Sequence, residues 1–573
     1  MVDAVIVDGY TDEPAGLGVP PYLDAIQRYV AGAIWTADPS WEVRYFTIDE
    51  LRENQSNVLK IANKAKVVIF IAGTTVPGRY LGGSPISISE LITYSRLLDK
   101  PLKILGGPAA RFGFGVEGGR AAIPKHRLEE HFDLIAYGDI EVLVYQLIRE
   151  KLSIERVDQG IKLKRNSKLH ESIALRGAHI IKDHPEYPDH LMIEIETYRG
   201  CPRAYYGKAC SFCIERHYGE PDFRSPKAIV KEVEELYKLG ARHFRIGRQP
   251  DLYTYMAEGI GESEFPRPNV DAIEKLFKGI RNVAPQIRTL HIDNVNPGTI
   301  AHWQEESRKI TKIIVRYHTP GDVAAMGIES ADPEVIKRNN LKVTPDEALI
   351  AIRIINEIGA SRGWNGLPHL LPGVNFVYGL IGETEITYKL NLEFMKRVLE
   401  EGYLVRRINI RQVMAFPGTD MWKIGERIIR RHKKLFRIYK ERMRKEIDLP
   451  MLQRVAPKGT ILREAYTEAY DEKKKLTYAR QMGSYPLLIA IPLKLPLKRW
   501  MDFMIVDHGY RSVTGVPYPV PINRLSFKVL VRIPGIGEKR ATKILVNRPF
   551  KSQEEVIKKV GLKPEEVKIF TFE

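Results

Sequence analysis

All three cysteines of this 573-residue chain lie in one short stretch, at Cys201, Cys210 and Cys213. Pro, Gly, Lys and Arg crowd the loop between them, so an inert set of buried cysteines is the weaker interpretation. Three thiolates can bind three irons of a [4Fe–4S] cluster and leave the fourth iron open to a substrate or cofactor. A zinc site is the alternative, because His217 could complete a set of four ligands.

The cysteine motif resembles that of the radical S-adenosylmethionine (SAM) superfamily, in which Cys-x2-Cys follows the first strand of a barrel and an aromatic residue precedes the last cysteine. Phe212 holds the aromatic position, and the first spacing, with eight intervening residues, is longer than is usual in the family. The resemblance implies that Cys201, Cys210 and Cys213 hold the cluster and that SAM binds its open iron. It also implies a reductant such as ferredoxin or flavodoxin.

Five later segments reproduce the strand ends of the same barrel in the family's order, and we expect strands at 243–247, 288–293, 324–330, 373–384 and 407–413. Their Glu-Ser and Gly-Glu-Thr motifs are weak singly, since each is also ordinary turn and cap chemistry. Their order behind a three-cysteine loop disfavours zinc. The resemblance implies SAM contacts from Phe212, Gly247, Gln249, Glu329, Ser330, Asn375 and Gly379.

Residues 1–150 alternate short apolar runs with helical stretches, which predicts a doubly wound parallel sheet. Ligands of such sheets bind at the carboxyl ends of the strands. The segment resembles the cobalamin-binding domain in front of many radical SAM barrels, at residues 18–22, 104–108 and 133–139. Cobalamin is therefore a candidate cofactor, although the Asp-x-His-x-x-Gly of a lower-ligand histidine is missing, and a cofactor-free domain is the alternative. The expected contacts are Thr74, Thr75, Gly106 and Gly107.

The formal net charge of +17 indicates a polyanionic partner, nucleic acid before membrane. The alternative is a generally Lys/Arg-rich proteome, such as that of a hot environment. No apolar run approaches the length of a membrane span, and the N-terminus leads directly into a strand pattern without a basic leader. We therefore expect a reducing, cytoplasmic location and no membrane partner.

The remaining segments divide by composition. Residues 151–190 predict a polar linker, 191–420 the barrel, and 421–482 a basic helical segment with eleven Lys or Arg between 423 and 445. The basic segment is either a solvated helix face or a phosphate-tracking surface. Residues 483–524 alternate β-rich runs with turn residues, which predicts a small β-barrel-like domain. Four histidines in the linker are expected to be solvated: His170, His179, His184 and His190.

Residues 525–573 resemble a helix-hairpin-helix domain, with a Pro-Gly-Ile-Gly hairpin between two helical stretches of 527–545. Backbone N–H groups at the start of the second helix would form a phosphate site that positions a nucleic-acid backbone without reading bases. The alternative is a packing module that binds a protein. The expected nucleic-acid contacts are Gly535, Gly537, Lys539, Arg540 and Lys543.

The predicted chain is an α/β protein: a doubly wound parallel sheet, a central radical SAM partial (β/α)6 barrel, a basic helical segment, a small β-barrel-like region and a helix-hairpin-helix. The expected function is modification of RNA, tRNA first, by methylation if cobalamin is bound. Methylthiolation is disfavoured because it needs three further cysteines. The alternatives are a protein or small-molecule substrate, or a nucleic-acid-binding protein with a structural cluster. None of Glu329, Tyr198, Tyr205 and Tyr206 stands out as a general base.

Overall fold

The computed structural model describes residues 2–11, 21–73, 84–116 and 119–572. The front domain is built on five parallel strands in the spatial order 2-1-3-4-5. This is the doubly wound arrangement predicted from the sequence. Ligands of such sheets bind at the carboxyl ends of strands one and three, where the strand order reverses. The strands are Ala4–Asp8, Val43–Thr47, Val67–Ile71, Leu102–Gly106 and Leu134–Ile135.

Helices cover both faces of this sheet, which explains why strands such as Ala4–Asp8 and Val67–Ile71 are buried along their whole length. Local sequence sets the helix starts: Thr47 with Glu50 forms one capping box and Ser87 with Glu90 another. The helices are Ala25–Ala37, Ile48–Glu53, Gln55–Ala62, Ile88–Arg96, Pro108–Phe112 and Ile140–Arg149. A hairpin of Phe114–Val116 and Arg120–Ile123 follows the fourth strand.

The connector between the front domain and the barrel is packed structure, so the expectation of a solvated linker was wrong. Its helix Lys168–Gly177 crosses the first helix so closely that a Cβ on Gly32 would lie 1.9 Å from the Ile173 carbonyl oxygen. Small residues at the crossing let the two backbones touch. Of the four histidines, His179 is exposed, and the other three are buried at 0%, 5% and 3% exposure: His170, His184 and His190.

Six parallel strands form the partial barrel in sequence order. All five later strands overlap the segments predicted from the sequence, but the fifth ends at Tyr378, before the predicted end at residue 384. The third strand is interrupted at Asp293, and the front segment Tyr22–Leu23 adds a further strand beside the first. The six are Met192–Glu196, His243–Gly247, Thr289–Ile292 with Asn294–Val295, Asp322–Glu329, Leu370–Tyr378 and Arg407–Gln412. The principal helices outside are Pro226–Lys238, Val270–Val283, Gln304–Tyr317, Pro345–Gly359, Glu385–Glu400 and Arg427–Met443.

A small closed barrel follows, and it begins earlier than predicted. The basic helical segment expected over 421–482 ends at Val455 with the helix Leu449–Val455, and residues 461–481 are strands. Two register shifts in the strand Ile461–Asp471 break the alternation of buried and exposed residues that would have marked it as a strand. The barrel strands are Ile461–Asp471, Leu476–Gln481, Leu488–Ile491, Trp500–His508 and Ser512–Tyr518.

The C-terminal segment contains four short helices that pack on the small barrel. Ile533, Ile544 and Val556 share one buried cluster with Met504 and Val516 of the barrel. A parallel pairing of Val520–Pro521 with Phe570–Thr571 fixes the end of the segment. The helices are Phe527–Leu530, Glu538–Asn547, Gln553–Val560 and Pro564–Val567.

Among the described residues, no helix is both long and apolar enough to cross a lipid bilayer.

Candidate functional site

The cysteine loop leaves the carboxyl end of the first barrel strand. Short strands Tyr198–Arg199 and Asp222–Phe223 pair antiparallel and hold the two ends of the loop together. The additional residues between the first two cysteines contain a short helix, Pro202–Tyr205, whose Tyr205 N–H donates to the Cys201 carbonyl (2.9 Å). The long first spacing is therefore a folded insertion that leaves all three cysteines on one loop.

The three thiols surround one small cavity of about 60 Å³, which Cys201, Cys210 and Cys213 all line. Burial raises the pKa of Cys201 to about 11 and raises the pKa of Cys213 well above its usual range. Buried thiols of this kind become thiolates when a metal or neighbouring cations stabilise the negative charge. The donor set therefore fits an iron–sulfur cluster.

Two cations stand beside the thiols. Arg203 donates to the Cys210 sulfur (3.4 Å) and is held by the Asn340 carbonyl (2.6 Å). Lys342 lines the small cavity, and although burial lowers its pKa, Glu329 and the three cysteines raise it above the usual value. Neither residue was singled out from the sequence: Arg203 lies in the insertion between Cys201 and Cys210, where the direction of its side chain cannot be read, and Lys342 lies far outside the motif.

The zinc alternative receives no support from the geometry. His217 lies against the Phe112 ring (centroids 5.9 Å apart) and does not line the thiol cavity. Thiolates that bind three different irons stand further apart than the ligands of one zinc ion.

A second, larger cavity of about 390 Å³ lies on the other side of Cys210 and Cys213. Residues from all six barrel strands or the loops after them line it, and so do Thr11, Gly107 and Asp139 at the carboxyl ends of front-domain strands. The ligand edge of the front sheet therefore opens into the same space as the thiols. The predicted site residues on its wall are Cys210, Phe212, Cys213, Gln249, Glu329, Asn375 and Gly107.

Several predicted site residues serve the scaffold instead of the cavity wall. A Cβ on Gly247 would lie 1.8 Å from the Glu194 carboxylate, and one on Gly106 would lie 1.8 Å from Ile140. Ser330 is fully buried, and its hydroxyl accepts from the Asp332 N–H (3.1 Å). A Cβ on Gly379 would lie 2.4 Å from Ile429. Two further predicted contacts lie outside the described residues: Thr74 and Thr75.

The tyrosines near the motif do not face the large cavity. Tyr198 is fully buried, and its hydroxyl donates to the Asp251 carbonyl (2.5 Å). Tyr205 and Tyr206 are 47% and 41% exposed on the outer side of the loop. The structure therefore gives none of them the place of a general base.

Two strand ends on the cavity wall carry strained backbone. Arg248 (φ 56°) and Glu329 (φ 68°) are left-handed residues directly after or at the end of strands two and four. Such conformations cost about 1–3 kcal/mol and concentrate at functional sites. Gly327, two residues before Glu329, has no room for a side chain, because a Cβ would lie 2.2 Å from the Glu329 carboxylate and 2.8 Å from the Lys342 ammonium.

Paired charges line the rest of the large cavity. Arg245 bonds Asp293 (2.7 Å), and Arg248 bonds Asp24 of the front domain (2.7 Å). Arg165 of the connector bonds Glu141 (2.6 Å) and Glu196 (2.8 Å), which belong to the front domain and the barrel. Arg199 pairs with Asp139. These pairs fix the two domains around the cavity and hold its polar groups in place.

The predicted nucleic-acid contacts of the C-terminal hairpin differ in exposure and in bonding. Lys539 and Lys543 are exposed, and nothing lies within 4 Å of a Cβ built on Gly537. Arg540 instead bonds Glu566 (2.9 Å) and the Gly535 carbonyl (2.7 Å). Arg540 therefore holds the hairpin together, and its contact with nucleic acid stays a prediction.

The strand order, the thiol loop behind the first strand and the polar cavity together define a radical SAM protein. A sequence profile of the radical SAM superfamily matches residues 195–395, from the end of strand one into the helix after strand five. The chain belongs to the radical SAM superfamily and is an enzyme of that type.

Two archaeal proteins are similar to this chain over most of its length. The uncharacterized protein MJ0274 of Methanocaldococcus jannaschii is 47% identical over 515 residues, 89% of this chain and 92% of the relative. An uncharacterized protein of Archaeoglobus fulgidus is 42% identical over 554 residues, 96% of each. Among solved structures, the radical S-adenosylmethionine methyltransferase TsrM from Kitasatospora setae has a TM-score of 0.48 at 15% identity, covering 74% of this chain and 75% of that one.

Proposed function

We propose that the two adjoining cavities divide the work of a radical enzyme. The small cavity holds a [4Fe–4S] cluster on Cys201, Cys210 and Cys213, and the large cavity holds SAM and the substrate. The observation that carries this proposal is that Cys210 and Cys213 line both cavities. When bound, the reduced cluster and SAM supply a 5′-deoxyadenosyl radical that takes a hydrogen atom from an unactivated carbon.

The chain's own residues neutralise the thiolates, bind SAM and enclose the cavity. Lys342 and Arg203 offset the negative charge of the thiolates. Glu329, held beside Lys342 by the bare backbone of Gly327, faces the cavity as an acceptor for the amino or hydroxyl groups of SAM. Gln249 lies on the same wall, fixed by the Thr197 hydroxyl (2.9 Å) and the Ile246 carbonyl (3.2 Å). The front domain covers the cavity and excludes water from the reaction.

Methylation with cobalamin is the finer reaction proposal. It is supported by the placement of Thr11, Gly107 and Gly138 at the ends of front strands and on the wall of the large cavity. A cofactor bound at that edge would face the thiols across the cavity. Gly106 offers no such contact, because Ile140 fills its surroundings.

RNA, tRNA first, is the finer substrate proposal. It is supported by the net charge of +17 and by two exposed basic surfaces. One is the helix Arg427–Met443 with its exposed arginines and lysines, and the other carries Lys539 and Lys543. The salt dependence of RNA binding tests this proposal, as argued in the Discussion.

Anaerobic reconstitution with iron and sulfide tests the radical chemistry. We expect the full chain to bind a cluster and, with a strong one-electron reductant, to convert SAM into 5′-deoxyadenosine. Cys201→Ala should lose both the cluster spectrum and SAM cleavage, whereas Tyr206→Ala, on the exposed side of the same loop, should keep both. SAM cleavage that survives Cys201→Ala would contradict the proposal. Cobalamin retained after addition of hydroxocobalamin would support methylation, and its absence would remove that support.

A further inference from the structure

A group of four arginines lies where the sixth barrel strand, the helix after it and the small barrel meet. We call Arg406, Arg407, Arg444 and Arg511 the arginine group. Arg406 and Arg407 stand at the start of strand six, Arg444 opens the π-helical turn Arg444–Asp448, and Arg511 precedes the strand Ser512–Tyr518. Three separate elements thus bring positive charge to one place.

The Asp448 carboxylate lies beside the arginine group and interacts with Arg444, Arg511 and Arg407. Arg444 pairs with Asp448 and donates to the Ile408 carbonyl (3.0 Å). Arg406 donates from Nη2 to the Tyr485 carbonyl (3.1 Å), while its buried Nε has no hydrogen-bond partner in the described structure. Arg511 makes no side-chain hydrogen bond or ion pair with any residue in the described part of the chain.

The electrostatics of the arginine group are unfavourable as they stand. Burial, and then the neighbouring charges of Arg444, Arg406 and Arg411, lower the pKa of Arg511 to about 10, although the nearby Asp448 carboxylate acts in the opposite direction. Burial likewise lowers the pKa of Arg406 to about 10. The nearby Lys440 has a lowered pKa through burial, Arg444 and Arg511. Confined like charges cost free energy unless an opposite charge joins them.

The arginine group adjoins the large cavity. Arg407 lines that cavity and lies over the Tyr485 ring, with its guanidinium carbon 4.4 Å from the ring centroid. Tyr485 is also on the wall, and its hydroxyl donates to Asp293 (2.7 Å). An anion held by the arginines would therefore sit at the strand-six side of the space in which we place the substrate.

We propose that the arginine group is a phosphate-binding subsite and that the substrate carries a phosphate group there. Planar guanidinium groups match phosphate oxygens two at a time, and several of them together suit a group with one or two negative charges. The inference rests on the proposed function in one respect: it takes the large cavity as the substrate site. The phosphate could be the monoester of a nucleotide-sized molecule or a diester within an RNA strand, and the experiment separates these sources.

Thermal unfolding of the full-length reconstituted enzyme is the first test, with uridine, uridine 5′-monophosphate and a short single-stranded RNA lacking terminal phosphates as probes. We expect the monophosphate or the RNA to raise the melting temperature while uridine does not. A response to the monophosphate indicates a monoester subsite, and a response to the RNA alone indicates a diester. If neither probe raises the melting temperature above uridine at equal ionic strength, the proposal is wrong.

Arg511→Gln is the decisive variant, and Arg406→Gln is the second should the first fail to fold. Either should weaken binding of the phosphate probe about 10- to 100-fold, the range that loss of one charged hydrogen bond gives. Without ligand, Arg511→Gln should melt at the wild-type temperature or above, since it removes a repelled charge. Arg156→Gln is the matched control, because Arg156 is an exposed arginine of the connector (67% exposed) and its variant should bind the probe like wild type.

Two results would overturn the assignment: equal phosphate binding by Arg511→Gln and wild type, or ligand-free destabilisation by both Arg511→Gln and Arg406→Gln, which marks a structural role. These measurements require no SAM cleavage. An enzyme that binds the phosphate probe but never cleaves SAM would contradict the proposed function alone. An enzyme that cleaves SAM but ignores the probe would contradict only the phosphate subsite.

Discussion

The arginines of the cavity wall and those of the arginine group differ in how many carboxylates they pair with. On the wall, Arg165, Arg245 and Arg248 each bond at least one buried carboxylate at 2.6–2.8 Å. In the arginine group, Arg444 forms an ion pair with Asp448, and Arg511 forms no ion pair with any described residue. The wall arginines have the more closely bonded carboxylates, and the arginine group reaches the same cavity through Arg407.

The difference separates charge that builds the site from charge that awaits a ligand. A buried arginine with its carboxylates in place contributes to the scaffold, and removing it leaves those carboxylates buried without a partner. An arginine held near other cations contributes nothing to folding until an anion binds. Substitutions in the two sets should therefore affect stability in opposite directions, and the predictions below test that contrast.

The largest effect is expected for Arg165→Gln. Arg165 joins Glu141 of the front domain to Glu196 of the barrel, and its side chain is 7% exposed. Removing one partner of such a buried network typically costs about 3–5 kcal/mol, so we expect a loss of that size in the free energy of unfolding measured with urea. Arg511→Gln is the contrasting variant, with no loss expected. Equal destabilisation by both would erase the distinction between the two sets.

The second prediction concerns how the stability difference between wild type and Arg165→Gln depends on pH. Burial raises the pKa of Glu196, but Arg165, Arg248 and other arginines together lower it by more. The pKa of Glu196 therefore lies below the ordinary 4.5. A depressed carboxylate pKa stabilises the folded state above the unfolded pKa, and that contribution is lost as pH falls through the folded value. The stability gap between wild type and Arg165→Gln should therefore be full at pH 7 and shrink below about pH 4.5. A gap that is constant from pH 7 to pH 3.5 would exclude Glu196 as its source.

The sequence revealed those parts of the site that are local in the chain. Cys201 and Phe212 belong to one short motif on the loop after strand one, and Gln249 and Glu329 lie after strand two and at the end of strand four, so each could be singled out from its neighbours in the chain. The arginine group is not local: Arg406, Arg444 and Arg511 come together only when three elements pack. No spacing rule connects residues so far apart, and the count of basic residues around 423–445 drew attention to the exposed helix face instead.

The errors in the fold have the same physical origin. Strands at 461–481 were predicted as helix because nine of the 21 residues are charged and the bulges at Leu462 and Thr467 disturb the alternation. The connector was predicted as solvated because histidine is polar, yet His170 is buried against Tyr29 with ring centroids 4.8 Å apart. Gly106 was assigned to a ligand, but glycine at a strand end also serves close packing, and Ile140 takes that space. In each example the outcome depends on residues that are distant in the sequence and pack nearby in the fold.

The smallest effect is expected at the C-terminal hairpin, where exposed charge can be compared with the half-buried arginine group. Lys539→Ala and Lys543→Ala should each leave stability within about 0.5 kcal/mol of wild type, since both side chains are exposed. If the hairpin follows an RNA backbone, each lost phosphate contact should reduce the slope of log K against log salt by about 0.7, the value for single strands.

Arg540→Ala is the control that separates contact from scaffold in the hairpin. Its bonds to Glu566 and to the Gly535 carbonyl predict a loss of stability in the C-terminal segment. Fluorescence anisotropy of a labelled tRNA over a range of salt concentrations measures the slopes. Unchanged slopes for both lysine variants would favour the hairpin as a packing module. Any RNA phosphate would then have to be bound elsewhere, on the helix Arg427–Met443 or at the arginine group. Reduced slopes together with intact monophosphate binding would give the molecule two phosphate sites of different kinds: an exposed one that positions the strand and a half-buried one that selects the substrate.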